Sequence, residues 1–593
     1  MRADSKAEID MAQALPQPTL NMLAGVDARL QAIDKLEALV NEVVREKARH
    51  RSNVFLKRGI RTWRKGDIVG AGQWALKATV ADGDNPKAFH VLAMALERMG
   101  HLHKALVTYE RAFELDPEDP ELLINLGLTA WNLKLTEGAA RMFKLYIAAC
   151  PESPLGYNNL GSVQSDMGQP DVAIETLRAA LYRMPEEAIL WNSLATVLAE
   201  NSRADESLIF YQEAARLEPG FARAYHNLGY AYQHLSQLDD ALVSYDKSLE
   251  LVVDPAERIE TQHSRSICLI GLGKLEEGFR EYEIRNHERF RCYFHHMMDS
   301  PRWQGEDVRG KKLLLVGEQG LGDEIMFANI LPDAQAAVGD SGKLQICVDP
   351  RLVPLFQRSY PKAEVGTYDD RTLIDGNGNK ALRLIPFASK ANKPDFWAPM
   401  GSALQYYRRS VADFPHQPFL TPDPARIADF KQRLAALPGK KVGICWRSML
   451  ITGSRAKYFS PIDAWGKILQ TPGITFVNLQ YGDSAADIAR AEEKFGVRIH
   501  QMEGLDLKDD IDGTAALCLG LDLVLSAPTA AAHTASSVGA EVWYLAVGLG
   551  WPQLGTAEYP WYANTRVYWP TKFGDWDAVM PRFAGDLAAF AAS

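Results

Sequence analysis

Three short runs in the second half of the 593-residue sequence hold side chains that could act on a bound anion. The first, Glu318-Gln319-Gly320-Leu321-Gly322-Asp323-Glu324, follows an apolar strand-like run and opens a helix. Glycines at such a turn let the backbone approach a ligand, and the helix start offers free N–H groups to an anion. Asp323 stands where a helix cap is strongly preferred. The second run ends in Cys445-Trp446-Arg447-Ser448, with Arg455, Lys457 and Tyr458 soon after. A strand ending this way puts a guanidinium at the carboxyl edge of a sheet, where open α/β folds bind ligands. Arg447, Arg455 and Lys457 are expected to form a cationic patch there. Fixed cations of that kind stabilise charge developing on a departing phosphate. In the third run, Ser526 and Thr529 stand where a helix begins, so their hydroxyls and the first N–H groups could hold a phosphate. His533 lies one turn inside that helix, either touching the ligand or satisfied within the core. Asp-x-Asp strings at Asp510–Asp512 and Asp575–Asp577 follow no strand and read as solvated charge, so no metal is expected.

Parallel sheets covered by helices must position these runs. From residue 311 onward, strand-like segments (312–317, 343–349, 382–387, 440–446, 474–480, 497–501, 521–526 and 541–547) alternate with helix-like ones. A Pro-rich stretch at 415–424 divides the region into two Rossmann-like lobes.

The first half has a different period. Leu92, Leu126, Leu160, Leu194 and Leu228 recur every 34 residues, each followed by Ala or Gly. Thirteen positions on come Ala105, Ala139, Ala173, Ser207 and Ala241, and four further a large side chain, as in Tyr109, Phe143 and Tyr245. This resembles the tetratricopeptide (TPR) pattern, a helix–turn–helix in which small residues let two helices approach and large ones fill the gap. Weaker units near 53–86 and 258–290 flank the set. Asn125, Asn159 and Asn227 share one phase, just before the Leu, with His90 and Ser193 read as interruptions. Stacked, their carboxamides could hold an extended peptide or simply join neighbouring repeats. Upstream, residues 20–48 read as a near-heptad helix (Leu23, Val26, Leu30, Ile33, Val40, Val44) whose seam Glu37 and Lys47 break; it could cap the repeats, pair with a second chain or bind a partner, and capping is the default expectation.

Composition is ordinary, at 47% hydrophobic and 24% charged, and the net charge of −10 speaks against nucleic acid as a partner. No run of 18 apolar residues suits a membrane span, and the first residues lack a secretory pattern. Six scattered cysteines without a CxxC pair fit a reducing, cytoplasmic setting.

EQGLGDEIMF, the WRS…R…Y run and the Ser526-Ala-Pro528-Thr529-Ala-Ala-Ala-His533 run, behind a TPR array, resemble bacterial protein O-glycosyltransferases of O-GlcNAc-transferase-like architecture with a heptosyltransferase-like domain. The resemblance covers about 52–290 and 311–580 and is strongest toward flagellin-modifying enzymes. It implies an α superhelix of TPR repeats followed by an α/β GT-B domain of two Rossmann-like lobes. It makes Asp323 the general base, with Glu318 and Glu324 as stand-ins. Gly320, Gly322, Arg447, Arg455, Lys457, Ser526, Thr529 and His533 would bind a nucleotide-sugar donor without metal or cofactor, and the asparagines a captured acceptor protein. Pro528 stands where the related transferases carry an Asp linked to donor-sugar recognition. The departure fits a CMP-activated acidic sugar such as a nonulosonic acid, which an Asp would repel, or a weakened site. The expected divisions are 1–51 helical segment, 52–290 repeats, 291–310 linker, 311–420 first lobe and 421–593 second lobe with a closing helix. The alternatives are a TPR adaptor with a non-catalytic transferase-like domain and a transferase acting on a cell-surface glycan.

Overall fold

The computed structural model describes residues 17–201, 203–290, 293–375, 378–449 and 453–593. The first sixteen residues and Cys292, both read above, lie outside this set. The chain forms two compact units, the first Met1–Pro151, the second Glu152–Ile374 with Asn379–Ser593.

TPR helix pairs occupy the first unit and the start of the second. The leading helices begin at Pro86, Pro120, Pro154, Ala188 and Ala222, each 34 residues after the last, and the partner helices at Leu102, Thr136, Pro170, Ala204 and Leu238 keep the same step. Proline suits the first helical position because its missing N–H would have no partner there. Asn85 and Asp119 cap two of these helices through side-chain oxygens. The small residues do what the pattern requires. A Cβ on Gly127 would stand 2.5 Å from Phe143 Cε1, and one on Gly229 2.8 Å from Tyr245 Cε1. A last pair, Pro255–Gly271 and Leu275–Tyr282, ends the series.

Two sequence expectations change here. The first helix runs unbroken from Gln17 to Arg64, so residue 51 falls inside it. No Gly, Pro or capping residue interrupts the chain between Ala48 and Arg51, which leaves nothing to end the helix. Residues 29–47 do not cap the repeats: each is exposed. Residues 293–310 are no free linker either. Phe294–His296 pairs with Gly378–Leu384, Trp303 is buried, and its N–H donates to the Trp397 carbonyl at 2.8 Å.

The remainder of the second unit holds parallel sheets. One has the strand order Glu364–Thr367, Lys343–Val348, Lys312–Val316, Phe396–Pro399. The segment expected at 382–387 lies instead in a separate three-stranded sheet, as Gly378–Leu384, and Phe396–Pro399 takes the edge. Buried Arg383 explains the displacement. Its guanidinium stacks 3.6 Å from the Tyr368 ring and pairs with Asp370, contacts that the interior of the apolar four-stranded sheet lacks. The larger sheet has six parallel strands in the order Ile499–His500, Ile474–Asn478, Lys440–Cys445, Leu523–Ser526, Val542–Leu545, Thr565–Tyr568. Its central strands read VGIC and LVLS, near-continuous apolar runs suited to burial on both faces. One hydrophobic core joins the two sheets, with Leu315, Val348, Val477, Val524 and Tyr544 among its members. Trp576–Ala592 closes the six-stranded sheet through Val579, Phe583 and Leu587.

Gly278 tests the repeat packing. A Cβ there would stand 2.7 Å from Ile270 Cγ1 and 2.9 Å from the Ile270 backbone nitrogen, which cannot move aside. Gly278→Val is expected to cost about 1–3 kcal/mol in denaturant unfolding, the usual cost of overpacking. Gly138→Ala, at an exposed position of its helix with open space around it, should leave stability unchanged or raise it by up to about 1 kcal/mol.

Candidate functional site

The carboxyl ends of the Lys312–Val316, Lys440–Cys445 and Leu523–Ser526 strands deliver the three chemical runs. Ser526 and Cys445 are register partners, so the latter two strands end level. After Val316 the chain turns through Gln319, held at φ 68°, a left-handed conformation costly for a side chain with a Cβ. It then enters the helix Leu321–Phe327. After Ser526 it enters Ala530–Ser537, with Thr529 at the N-cap.

The two helices meet at Gly322. A Cβ there would lie 3.1 Å from His533 Cδ2 and 3.6 Å from Ala530 Cα. Beside this contact opens a cleft of about 440 Å³, lined by Gly320, Gly322, Asp323, Arg455, Thr529 and His533 of the expected residues. Pro528 lines it too, as do Arg351, Ser448, Met449, Tyr458 and Tyr481, among others.

Asp323 accepts the Gly320 N–H at 3.2 Å, so it does cap its helix. Burial pushes its carboxyl up to about 6, against the lowering influence of the Gly320 N–H; nearby Glu318 adds to the rise and Arg455 opposes it. The two stand-in carboxylates are engaged elsewhere. Glu318 is buried in a bidentate pair with Arg285, from the turn that ends the repeats, and accepts the Gly401 N–H at 2.8 Å. Glu324 is buried and takes the Tyr368 hydroxyl and the Asp349 N–H; burial pushes it up to about 7.

The cationic patch is smaller than the spacing suggests. Arg447 points away from the cleft, with Nε on Asp487 Oδ2 at 2.9 Å and a second nitrogen on the Asp483 carbonyl at 2.8 Å. Asp487, in the first turn of Ala485–Phe495, captures the guanidinium into a neighbouring hollow of about 300 Å³. Lys457 lies 5.9 Å and 5.6 Å from the Tyr230 and Tyr458 ring centres, and burial lowers its pKa despite the attraction of Glu200. Arg455 remains at the cleft, exposed and without an ion pair among the described residues.

Ser526 also stays out of the cleft. Fully buried, it donates to the Ala527 carbonyl at 2.7 Å and stands 3.3 Å from Thr529 Oγ1, beneath the turn it supports. His533 is nearly buried, with Nδ1 2.8 Å from the Tyr562 hydroxyl; burial brings it down to about 4, so it is neutral at pH 7.

Sequence reading missed Arg351 and Tyr481, although both follow strands, Lys343–Val348 and Ile474–Asn478, whose carboxyl ends point to the same place. It also missed Gln480, whose side chain clamps the Cys445–Arg447 turn by accepting from the Trp446 and Arg447 N–H groups and donating to the Arg447 carbonyl. No motif announces such a residue.

Tyr458, at the cleft, reaches back to the repeats: its hydroxyl lies 3.2 Å from that of Tyr230 and 3.0 Å from His234 Nε2, both on Ala222–His234. The asparagines are engaged within the repeat array. Asn125 bonds His90 at 3.0 Å, and Asn227 donates to Asn192 Oδ1 at 3.0 Å. His90 and Asn192 stand one place earlier in their repeats than the asparagine phase, which Val91 and Ser193 hold there. His90 is therefore the partner of Asn125, not an interruption. Asn159 is buried and accepts from Asn158 at 2.9 Å, but its Nδ2 has no partner among the described residues.

The TPR family matches at residues 86–129, 158–220 and 222–252. Among solved structures, the TPR protein YrrB is similar at 23% identity over 32% of this chain and 97% of its own, with a TM-score of 0.24. A TPR protein from Parabacteroides merdae is similar at 16% identity over 40% and 91%, with a TM-score of 0.35. The chain is thus a TPR repeat protein. At full length it is 38% identical over 572 residues to Protein FlbA of Caulobacter vibrioides, covering 96% of this chain and 94% of that one, and it belongs to the FlbA family.

The raised pKa of Asp323 has a consequence for stability. The folded protein holds this proton more tightly than the unfolded chain, so ionising Asp323 costs stability as pH rises from about 4 to about 6. Asp323→Asn keeps an acceptor for Gly320 and removes the charge. It is expected to stabilise the fold by about 2 kcal/mol at pH 7.5, with the gain gone below about pH 4, measured by urea unfolding across pH.

Proposed function

We propose that the chain is a glycosyltransferase of the GT-B kind that moves a sugar from a nucleotide-activated donor to Ser or Thr of an acceptor protein held by the TPR repeats. The observation that carries this reading is the cleft shared by the carboxyl ends of parallel strands. There a carboxyl poised at about 6 meets Arg455, which has no ion pair among the described residues, and the start of the Ala530–Ser537 helix. Asp323, ionised above that pH, takes the proton of the acceptor hydroxyl. Arg455 and the N–H groups at Thr529 and Ala530 stabilise the charge left on the departing phosphate. Neutral His533 supplies a hydrogen bond without adding charge. The contact of Tyr458 with Tyr230 and His234 supports delivery of a protein acceptor, because it sets the repeats beside the cleft. The motif resemblance points to flagellin as the acceptor and a nonulosonic acid such as pseudaminic acid as the sugar, with Pro528 at the cleft where an Asp would repel such an acid.

The same Pro528, with Arg447 tied to Asp487, also supports a second reading, an adaptor that retains the cleft without the chemistry. The deciding experiment is the intact mass of a flagellin co-expressed with this chain in cells that make the activated nonulosonic acid. A sugar-sized increase is expected with the wild type. Asp323→Asn should reduce transfer by about 10²–10⁴-fold while the acceptor still co-purifies. The rate should rise with pH through about 6 as Asp323 ionises. Arg455→Met should weaken donor binding. No mass increase and no nucleotide-sugar binding, with the partner still retained, would sink the enzyme reading in favour of the adaptor. Binding of a nucleotide sugar with transfer only to a glycan would move the acceptor to the cell surface.

A further inference from the structure

The forward part of the first helix, residues 29–47, is exposed and has no partner among the described residues. From Leu30 to Val44 its large apolar side chains are 48–61% exposed. Leu30, Ile33, Glu37, Val40, Val44 and Lys47 follow one another at steps of three and four, which places them on one stripe of the helix. Two members of the stripe are charged, and their positions are informative. Val40 and Val44 lie two residues either side of Glu42, and Glu37 and Lys47 lie five residues either side of it. Further out, Ile33 is matched by the exposed Arg51, whose aliphatic stem can lie along it, and Leu30 by Val54, itself 37% exposed. Glu42 is on the opposite side of the helix from the stripe.

A helix with this symmetry is complementary to itself when reversed. In an antiparallel pair crossing at Glu42, Val40 of one copy meets Val44 of the other, and Glu37 meets Lys47, twice over by the two-fold axis. The residues that spoil an apolar seam thus become two ion pairs within it. A parallel pair would set Glu37 on Glu37 and Lys47 on Lys47, like charges in a seam that excludes water. The wider charge pattern agrees. Within residues 30–41, Asp34 and Glu37 stand against Lys35, while within 43–54 Arg45, Lys47, Arg49 and Arg51 stand against Glu46. Reversal lays the acidic arm of one copy on the basic arm of the other.

We propose that this stripe binds a second copy of the chain, antiparallel and centred on Glu42. The proposal is independent of the transferase reading, since none of these residues belongs to the cleft. Sedimentation velocity on the full chain tests it, and the exposed positions allow substitution without harm to the fold, checked by far-UV circular dichroism. The wild type is expected to dimerise at micromolar concentration. Glu37→Lys alone and Lys47→Glu alone should each weaken the dimer about tenfold or more, because each creates two like-charge contacts. The double swap Glu37→Lys with Lys47→Glu should restore it. A wild type that stays monomeric at about 50 μM, above the range of specific association, would overturn the proposal. A dimer indifferent to both single swaps would do the same, as would a double swap that fails to recover. Monomer alone, with a foreign protein captured through Val40 and Val44, would give the stripe to another partner and equally refute self-association.

Discussion

Everything at the candidate site depends on two helices touching at a residue without a side chain. Leu321–Phe327 begins after one sheet and Ala530–Ser537 after the other, and Gly322 lets their first turns come into contact. A methyl group at that position would press on His533 at 3.1 Å. The approach brings Asp323 to one cleft with Thr529 and His533, which lie more than 200 residues further along the chain. It also sets the starts of both helices, at Gly320 and at Thr529, on the lining of that cleft.

That arrangement works against Asp323 as a structural residue. A capping carboxylate normally gains from the helix start, yet here burial outweighs the Gly320 N–H and the carboxyl is driven upward. Its two neighbouring acids are committed to Arg285 and to Tyr368, which leaves Asp323 as the carboxyl of this run that lines the cleft. His533 is treated in the opposite way. Its enclosure holds it neutral, so beside its contact with the Tyr562 hydroxyl it contributes shape, not charge.

The repeats of the second unit and the sheets behind them are joined by more than a tether. The buried Arg285–Glu318 pair ties the end of the repeats to the turn that carries Gly320, and removing either partner would strand a charge in the interior at a cost of about 3–5 kcal/mol. Tyr458 makes a second junction to Tyr230 and His234, and Ser236 a third, accepting the Leu549 N–H at 3.2 Å. A change in the repeats at Ala222–His234 therefore reaches a residue that lines the cleft.

Much was legible from residue order alone, for reasons of period. The 34-residue step is a local property: each small residue faces a large one 16 places later, so the helix pairs could be drawn before any coordinates, and Gly127 against Phe143 behaves as that rule requires. Apolar runs such as VGIC and LVLS marked strands buried on both faces, and their carboxyl ends marked where Asp323, Arg455, Thr529 and His533 would gather. What the sequence could not determine was the direction of side chains with more than one charged neighbour within reach. Arg447 sits at the right strand end but is turned aside by Asp487, forty residues away, and Lys457 is drawn under two tyrosine rings. Ser526 reads like a phosphate ligand and lies sealed beneath its turn. Arg383 needed Asp370 and Tyr368, and so pulled its strand out of the expected sheet. Backbone periodicity is written in neighbours along the chain, whereas long flexible cations settle by competition among partners that only the folded chain brings together.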